Sequence, residues 1–457
     1  MSSPPPSPPA ARPPPKKVFR HEMKAAGQPS AGSPFVKGFT RVTGRAAFVT
    51  GATGFVGLNL VDALLHAGWA VYALHRPGSR RARLLRELPS AAGAAGARLH
   101  LVEGDLATDG AADLQRLLPP AAAPLLEVVY HLVHLDEAGA EHAHPARLLT
   151  QPGFTPEGGA EHRRLNLRAM RVAVAAAASW GAQRLVYCSS WSAYGRQPPG
   201  TEVHERTPAR ADEPLRGGVG CCGRGEPVPY FQSKAECEAL LRASLGQPLR
   251  EAGGAALRGG VIVQPCTILG RFGEAGWCRL FGLLREAGGS GAIPGLPGRS
   301  SFVDVQDLAD AMVAAARAGE GRGEAYVVGG TNAPALEMQR EMAALVGVPP
   351  PRKATPAAVL LALARWNESL LHVPWLRCLR IKPRQIGPPW LVWGKLTQDQ
   401  SARSKAAQAV LGYRLRPLHE TLRRNYEWLE RREQAQQRAP PAASGGERAT
   451  LLRTQQS

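Results

Sequence analysis

A short apolar run followed by three evenly spaced glycines constrains the fold of this chain more than any other feature. The run occupies 46–50, and Gly51, Gly54 and Gly57 follow it at intervals of three residues. Residues 55–67 then carry apolar side chains at helical spacing. A buried parallel strand has such a continuous run, and the N-terminus of the helix after it presents free N–H groups to an anion. The pattern predicts a strand–turn–helix unit that binds the pyrophosphate of a dinucleotide.

Each glycine of this turn has a separate task. Gly51 permits the tight turn off the strand, Gly54 removes a side chain where the backbone approaches the pyrophosphate, and Gly57 lets the helix pack closely on the sheet. Because glycines occur in turns of every kind, the strand before them and the helix after them carry most of the specificity. The predicted pyrophosphate-binding residues are Gly51, Thr53, Gly54, Phe55, Val56 and Gly57.

Strand and helix patterns alternate through the first half of the chain. The predicted strands are 70–74, 98–102, 126–132, 184–187 and 260–263, and the predicted helices include 164–180 and 230–243. This alternation predicts an α/β fold with a Rossmann-type, doubly wound parallel sheet. Beyond it, short strands at 301–305 and 325–328 stand among helices at 307–316, 335–346 and 419–433. They predict a smaller, mostly helical C-terminal subdomain that binds the substrate.

We therefore expect four regions along the chain. A Pro-rich, basic leader (1–44) reads as a disordered tail or as a transit peptide. An NAD(P)-binding Rossmann domain (45–265) precedes the substrate-binding subdomain (266–433), from which short segments around 301–330 return to the Rossmann core. A polar tail (434–457) is expected to be disordered. The expected location is the cytoplasm, or a chloroplast or mitochondrion if the leader directs import.

Composition excludes several classes of function. The net charge is +19, but the cations are nearly all arginines spread along the chain, so we expect no dedicated nucleic-acid site. The seven cysteines show no zinc-ligand spacing, so we expect no metal. No stretch approaches the ~20 apolar residues of a spanning helix. The expected partner is a small-molecule substrate, with a homodimer and weak contact with a membrane surface, through a helix over 359–371, as further expectations.

The end of the second strand predicts which dinucleotide binds. A carboxylate there would bind a ribose 2′-hydroxyl, whereas a basic residue accommodates a 2′-phosphate. The strand ends at His75 and Arg76, Arg83 follows within the same basic stretch, and no acidic residue occurs before Glu87. NADP(H) is therefore favoured, with NAD(H) as the alternative. Asp105 and Leu106 follow the third strand and are expected to flank the adenine.

A tyrosine and a lysine four residues apart predict the catalytic chemistry. Tyr230 and Lys234 share one face of a predicted helix. A neighbouring ammonium stabilises a phenolate, so the tyrosine can exchange a proton with a carbonyl or alcohol oxygen while hydride is transferred. Ser190 follows the fifth strand and can hold the substrate oxygen, with Ser189 and Ser192 as rivals for that task.

These motifs, in this order and spacing, resemble the extended short-chain dehydrogenase/reductase superfamily, also called the NAD-dependent epimerase/dehydratase family. The resemblance runs from about residue 45 to 430 and is carried by 50–57, His131-Leu132, Asn166, 187–195, 230–234 and 302–307. The basic end of the second strand and the run 265–270 look most similar to dihydroflavonol reductase-like and 3β-hydroxysteroid dehydrogenase-like members.

The resemblance implies roles for individual residues. It implies Ser190, Tyr230 and Lys234 as a catalytic triad and Asn166 as a support near the nicotinamide. It also implies a cofactor edge that includes His131, Leu132 and Pro265. Three features depart from the family pattern: Val133-His134 in place of two small residues, Arg271 in place of a proline, and a Gly/Cys/Arg-rich loop at 217–225.

Three functions remain open at the level of the sequence. The leading hypothesis is an NAD(P)H-dependent oxidoreductase that interconverts a ketone and a secondary alcohol on a moderately apolar cyclic substrate, such as a flavonoid, steroid or terpenoid. An NDP-sugar epimerase or dehydratase is the alternative, because Arg271, Arg279 and Arg299 could bind a second diphosphate. A non-catalytic dinucleotide- or RNA-binding protein of the same fold is the third, although such proteins typically lose the tyrosine or the lysine. A lid over an apolar substrate could use Trp366, Trp375, Trp390 and Trp393.

Overall fold

A seven-stranded parallel sheet forms the centre of this protein, whose structure is a computed structural model. The structure describes residues 45–118, 126–135, 156–213, 228–274, 276–287, 293–369 and 396–438. Several sequence expectations lie outside these residues: the leader 1–44, the tail from 439, the loop 217–225, and Trp375, Trp390 and Trp393.

The described strands and helices are numbered in chain order. The strands are β1 (Ala46–Thr50), β2 (Ala70–His75), β3 (Leu99–Glu103), β4 (Leu126–His131), β5 (Arg184–Cys188), β6 (Thr201–Val203), β7 (Gly260–Pro265), β8 (Thr267–Leu269), β9 (Arg299–Asp304), β10 (Arg322–Val328), β11 (Thr331–Pro334) and β12 (Gln400–Ala402). The α-helices are α1 (Phe55–His66), α2 (Ala82–Arg86), α3 (Ala111–Leu117), α4 (Pro156–Ser179), α5 (Pro229–Ser244), α6 (Leu280–Ala287), α7 (Val305–Ala315), α8 (Ala335–Val346), α9 (Ala357–Ser369), α10 (Lys405–Leu411) and α11 (Leu418–Arg438). A short 3-10 helix, Trp191–Tyr194, follows β5.

The order of the central strands places a ligand-binding crevice at the end of β1. The strands run β3, β2, β1, β4, β5, β7, β10, and every neighbouring pair is parallel. The order reverses between β1 and β4, where ligands of such sheets bind outside the carboxyl ends. Thr50 pairs with His131, and His131 pairs with Tyr187. The carboxyl ends of β1, β4 and β5 therefore lie side by side.

Two buried apolar layers cover the two faces of this sheet. In β1, Phe48 belongs to one layer and Val49 to the other, because successive side chains of a strand point to opposite faces. Helices α4 and α5 complete the first layer with residues such as Met170 and Leu241. Helices α1 and α7 complete the second with residues such as Leu64. The predicted doubly wound α/β fold is confirmed.

The C-terminal half adds a small second sheet and a mostly helical layer. β9 lies between β8 and β11 in that sheet, and α6, α8 and α11 pack around Phe302 of β9 in a core of their own. β10 instead returns to the edge of the central sheet beside β7. Within the described residues, no helix is long and apolar enough to cross a membrane.

Some element limits differ from the sequence expectations for local reasons. Strand β9 ends at Asp304, whose side chain accepts a hydrogen bond from the Gln306 N–H at 2.7 Å and caps α7. The helix therefore begins at Val305, which we expected in the strand. Helix α4 begins at Pro156, before the expected residue 164, and α11 continues to Arg438, beyond the expected residue 433.

Candidate active site

The glycine turn after β1 leaves no room for side chains. Gly51 has a φ of +69°, in the left-handed region that favours glycine. A Cβ on Gly57 would lie 2.1 Å from the carbonyl oxygen of Gly51, and a Cβ on Gly54 would lie 3.1 Å from the same oxygen. Gly54 precedes α1 with extended backbone, and the first N–H groups of a helix have no partner within it. The residues present thus fit the pyrophosphate of a dinucleotide.

The arginines after β2 lie in different environments. Arg76 directly follows the strand and is half-buried, whereas Arg83 is exposed on α2. Arg81 donates from Nε to the carbonyl oxygen of Thr53 in the glycine turn at 2.9 Å, and from Nη1 to Glu274 at 3.3 Å. Arg81 was not among the predicted site residues, although it lies in the basic stretch that favoured NADP(H). It contacts the glycine turn directly.

A carboxylate also reaches the end of β2, from the neighbouring strand. His75 of β2 pairs with Glu103 of β3, and the Gly78 N–H donates to Glu103 Oε1 at 3.3 Å. The prediction of NADP(H) considered only the sequence at the end of β2 and did not take this carboxylate into account. Because an acidic group at this position suits a ribose hydroxyl better than a phosphate, Glu103 weakens that argument.

The predicted adenine-flanking residues lie in a loop with many internal hydrogen bonds. Asp105 Oδ1 accepts from the Ala107 N–H at 3.0 Å, and the Asp105 N–H donates to Asp109 Oδ2 at 2.7 Å. Arg168 of α4 donates to the carbonyl oxygen of Ala107. The Asp105 carboxylate therefore shapes the loop, and Leu106 beside it is buried. Contact of either residue with adenine stays a prediction.

His131 at the end of β4 is held as a neutral imidazole. Its Nδ1 lies 3.0 Å from Thr50 Oγ1, and the Leu132 N–H donates to the same hydroxyl at 3.3 Å. Burial, and then the positive charge of Lys234, lower the pKa of His131 to about 3. These bonds join the ends of β1 and β4 beneath the glycine turn, so His131 and Leu132 lie at the predicted cofactor edge.

Asn166 holds the loop that follows β4. Its Oδ1 accepts from the Leu135 N–H at 2.9 Å, and its Nδ2 donates to the carbonyl oxygens of Leu135 at 2.9 Å and His162 at 2.8 Å. The side chain is buried on α4. Asn166 therefore fixes the backbone beside the site, which is a positioning task consistent with the predicted support role.

Lys234 ties helix α5 to the end of β5. Its Nζ donates to the carbonyl oxygen of Cys188 at 3.1 Å and lies 5.1 Å from the centre of the Tyr187 ring. The side chain is 4% exposed, so its charge acts in a poorly hydrated environment. Its field also lowers the pKa of His162, to about 4, although burial is the larger cause. Lys234 is therefore a buried source of positive charge next to the candidate acid–base group.

A second residue of α5 holds the same strand end and separates the rival serines. Glu238 lies one helical turn beyond Lys234, and its Oε1 accepts from Ser189 Oγ at 2.6 Å and from Gln264 Nε2 at 2.8 Å. Burial raises the pKa of Glu238. Ser189 is thus bonded to the core, whereas Ser190 Oγ accepts a local bond from the Ser192 N–H at 3.1 Å. Of Ser189 and Ser190, the geometry favours Ser190 as the substrate-binding hydroxyl.

One histidine packs on Tyr230 in the first turn of α5, and a second histidine packs on the first. The ring of His134 packs edge-to-face on the Tyr230 ring with a centroid distance of 4.8 Å, and on the His162 ring at 4.7 Å. Ser233 Oγ lies 3.5 Å from His162 Nε2. His134 was noted in the sequence only as a departure from the family pattern. Its side chain borders the candidate catalytic phenol.

The segment after β7 packs on α1. Pro265 ends β7 and is buried. Arg271 forms a salt bridge with Asp62 of α1, and its carbonyl oxygen accepts from Asn59 Nδ2 at 2.9 Å. The arginine that stands where the family has proline therefore fastens this segment to the helix of the glycine turn. The salt bridge with Asp62 thus occupies an arginine side chain that the sugar-nucleotide hypothesis needs for binding a second diphosphate.

The structure brings most of the predicted site residues to one edge of the sheet. The glycine turn, the end of β4 with Asn166, and the end of β5 with α5 lie at adjacent strand ends, whereas Arg83 is exposed and set apart on α2. Sequence reasoning missed Arg81, Glu238 and the two histidines. The signal for Glu238 was present, because Tyr230, Lys234 and Glu238 are spaced four residues apart on one helix face.

Comparison with known proteins agrees with this geometry. Residues 47–216 match the model of the NAD dependent epimerase/dehydratase family. Over this span the chain is similar to that family. The resemblance drawn from the sequence motifs is thus confirmed, and the family description indicates an NAD-dependent enzyme.

Two curated relatives are reductases by name. A 3-diazoavenalumate denitrifying reductase of Streptomyces sp. is 29% identical over 377 residues, which cover 82% of this chain and 97% of the relative. A protein of Synechocystis sp. named as a candidate dihydroflavonol 4-reductase is 29% identical over 339 residues, with coverage of 72% and 80%. Among solved structures, MoeE5 in complex with UDP-glucuronic acid and NAD has a TM-score of 0.55 at 22% identity, and the match covers 85% of this chain and 100% of that one. This last likeness concerns the fold.

Proposed function

We propose that the protein is an NAD(P)H-dependent oxidoreductase that interconverts a ketone and a secondary alcohol. One observation carries the proposal. The helix that bears Tyr230 is fixed to the end of β5, two residues before Ser190, by the bond from Lys234 to the Cys188 carbonyl. That strand end lies beside the switch point of the sheet, next to the glycine turn.

Each residue of this group has a chemical task. When bound, the nicotinamide ring donates or accepts the hydride. Tyr230 gives a proton from its hydroxyl to the carbonyl oxygen during reduction, and takes one from the alcohol during oxidation. Lys234 stabilises the phenolate through its buried charge. Ser190 donates a hydrogen bond to the substrate oxygen, and Asn166 keeps the loop after β4 in place.

The glycine turn and the β2 edge determine the cofactor. The N-terminus of α1 would hold the pyrophosphate, because Gly51, Gly54 and Gly57 leave the backbone accessible there. NADP(H) is the preferred dinucleotide, with Arg76 as its 2′-phosphate ligand. Glu103 opposes this preference from β3, so NAD(H) is accepted as well.

The substrate is a moderately apolar cyclic ketone. Both curated relatives are named as reductases, and one name refers to a dihydroflavonol. A sugar-nucleotide epimerase is the second candidate, since MoeE5, a protein of the same fold, was solved with UDP-glucuronic acid and NAD. An epimerase would use three arginines to bind a second diphosphate, and one of them, Arg271, already pairs with Asp62. This pairing favours the ketone substrate.

One experiment separates the two candidates. Purified protein is titrated with NADPH, NADH and UDP-sugars by protein fluorescence, and net oxidation of NADPH is then followed with a panel of cyclic ketones. A reductase exchanges its cofactor and consumes NADPH as ketone is reduced. Conversion of a UDP-sugar with a retained dinucleotide and no net NADPH consumption would establish the epimerase instead. Absence of binding to every dinucleotide would overturn both.

A further inference from the structure

Helix α9 carries exposed apolar side chains on its outer face and buried ones on its inner face. The inner face carries Leu360 and Ala364, which are buried in a small core. The outer face carries the exposed residues Ala358, Val359, Ala362, Arg365 and Trp366. Residues at these spacings share one side of a helix. Exposed apolar side chains that share one helix face can mark an interaction site.

The two large side chains of this face are unusually exposed. Val359 is 46% and Trp366 is 56% exposed, and they lie seven residues apart on the same side of the helix. Tryptophan is enriched where proteins meet the headgroup layer of a bilayer, because its ring is apolar and its N–H is polar.

The charge around α9 favours an anionic partner. Arg352 and Lys353 are exposed just before the helix. Over the described residues 342–369 the sequence has Glu368 as its only acidic residue, against the cations Arg352, Lys353 and Arg365. A second copy of this chain would bring two positively charged surfaces together, which opposes association. An anionic lipid surface complements both the charge and the apolar face.

We propose that the outer face of α9 docks the protein on the surface of an anionic membrane. Val359 and Trp366 enter the headgroup boundary, while Arg352 and Lys353 lie against the phosphates. The helix lies on the surface and does not cross it, since its inner face stays packed on the protein. This proposal is independent of the proposed reaction, and its failure would leave the active site as described.

Sedimentation with lipid vesicles tests the docking. The full chain is mixed with vesicles of phosphatidylcholine and phosphatidylserine, or of phosphatidylcholine alone, at low and at high salt. We expect binding to the anionic vesicles that weakens as salt screens the charges. Trp366→Ala should reduce the vesicle affinity about tenfold, because the lost indole no longer leaves water. Val359→Ser should reduce it less.

Matched variants exclude general effects of surface substitution. Val410→Ser and Leu415→Ser change the other large exposed apolar residues of the described chain and should leave binding unchanged. Arg352→Glu combined with Lys353→Glu should weaken binding to anionic vesicles, whereas Arg250→Glu, at another exposed site, should not. Thermal melting checks that each variant is folded.

Three results would overturn the proposal. The first is that the wild-type chain does not sediment with anionic vesicles at low salt. The second is that Trp366→Ala binds them as tightly as the wild type. The third is that Trp366→Ala converts a dimer into a monomer without affecting vesicle binding, which would make this face a contact between two copies.

Discussion

The glycine turn and the α5 region form opposite ends of one candidate site, and they act through different parts of the chain, the backbone in the turn and side chains in α5. The turn binds through its backbone, and Gly51, Gly54 and Gly57 serve by lacking side chains. The α5 region works through buried polar side chains, with Lys234 and Glu238 bonded to the end of β5. The glycine turn acts through local steric constraints, whereas the α5 region is a hydrogen-bond network that forms only in the folded chain.

This contrast predicts different responses to mutation. Adding atoms should damage the turn, because the surrounding backbone cannot move away. Removing atoms should damage the α5 region, because buried groups lose their hydrogen-bond partners. Matched variants of the two regions test this difference.

Gly57→Ala should have the largest effect on stability and on cofactor binding together. The new Cβ would lie 2.1 Å from the Gly51 carbonyl oxygen, so α1 must move away from the turn. We expect a loss of at least about 3 kcal/mol in the free energy of unfolding and loss of dinucleotide binding. Urea unfolding and fluorescence titration measure the two effects.

Gly282→Ala is the matched control for added atoms. Gly282 lies within α6, and nothing approaches the position of its Cβ within 4 Å. Alanine should stabilise that helix by up to about 1 kcal/mol. Equal behaviour of the two variants would contradict the steric account of the turn.

Glu238→Ala should destabilise the α5 region almost as strongly. Ser189 and Gln264 would both lose their shared acceptor inside the protein. We expect a loss of about 3 kcal/mol in the free energy of unfolding. Glu236→Ala removes a neighbouring carboxylate that makes a partly exposed ion pair with Arg163, and it should cost less than about 1 kcal/mol. If Glu236→Ala lost more unfolding free energy than Glu238→Ala, the buried network would not be the main source of stability in this region.

Acid should destabilise the fold through two buried histidines, one on β4 and one on α4. Burial and Lys234 hold the pKa of His131 near about 3 and that of His162 near about 4, below the ordinary 6.5. Below pH 6.5 the unfolded chain therefore takes up protons that the folded chain excludes, so stability falls as pH falls. Between about pH 7 and pH 5 each histidine should cost about 2 kcal/mol.

The slope of unfolding free energy against pH measures this effect. His162→Gln should flatten the slope over that range, whatever its effect on stability at pH 7. His66→Gln, a change at an exposed site at the end of α1, is the control. An unaltered slope in His162→Gln would show that this imidazole is not held neutral.

Arg76→Asp should have the smallest effect, confined to the choice of cofactor. A carboxylate there would repel a 2′-phosphate, so the ratio of NADPH to NADH affinity should fall about tenfold. Glu103→Gln should raise the same ratio, because it removes the opposing carboxylate from β3. Arg86→Asp, an exposed change on α2, is the control. A ratio that does not change in Arg76→Asp removes Arg76 from the 2′-phosphate site.

The sequence predicted the central fold well, because its signals are local. The apolar strands 46–50 and 70–74 and helix 335–346 were found within about one residue of their limits. Strands β6, β8, β11 and β12 were not predicted, since segments of three or four residues carry no periodicity of their own. They form only because neighbouring segments supply their hydrogen-bond partners.

The residues of the candidate site divide in the same way, into those with a local sequence signal and those without one. The glycine turn and the Tyr230–Lys234 pair were evident from spacing along the chain. The Ser189–Glu238 and Arg81–Thr53 bonds join residues that are distant in sequence, and no short motif encodes them. The carboxylate of Glu103 was missed for the same reason, because it reaches the end of β2 across a strand pair.

The most direct test of the account is the turnover of Tyr230→Phe with NADPH and a reducible cyclic ketone. We expect turnover to fall by about a hundredfold to ten-thousandfold, with unchanged affinity for NADPH, because only the proton donor is lost. Tyr426→Phe, on α11, should retain full activity. Undiminished turnover in Tyr230→Phe would contradict the assignment of the catalytic phenol and, with it, the proposed reaction.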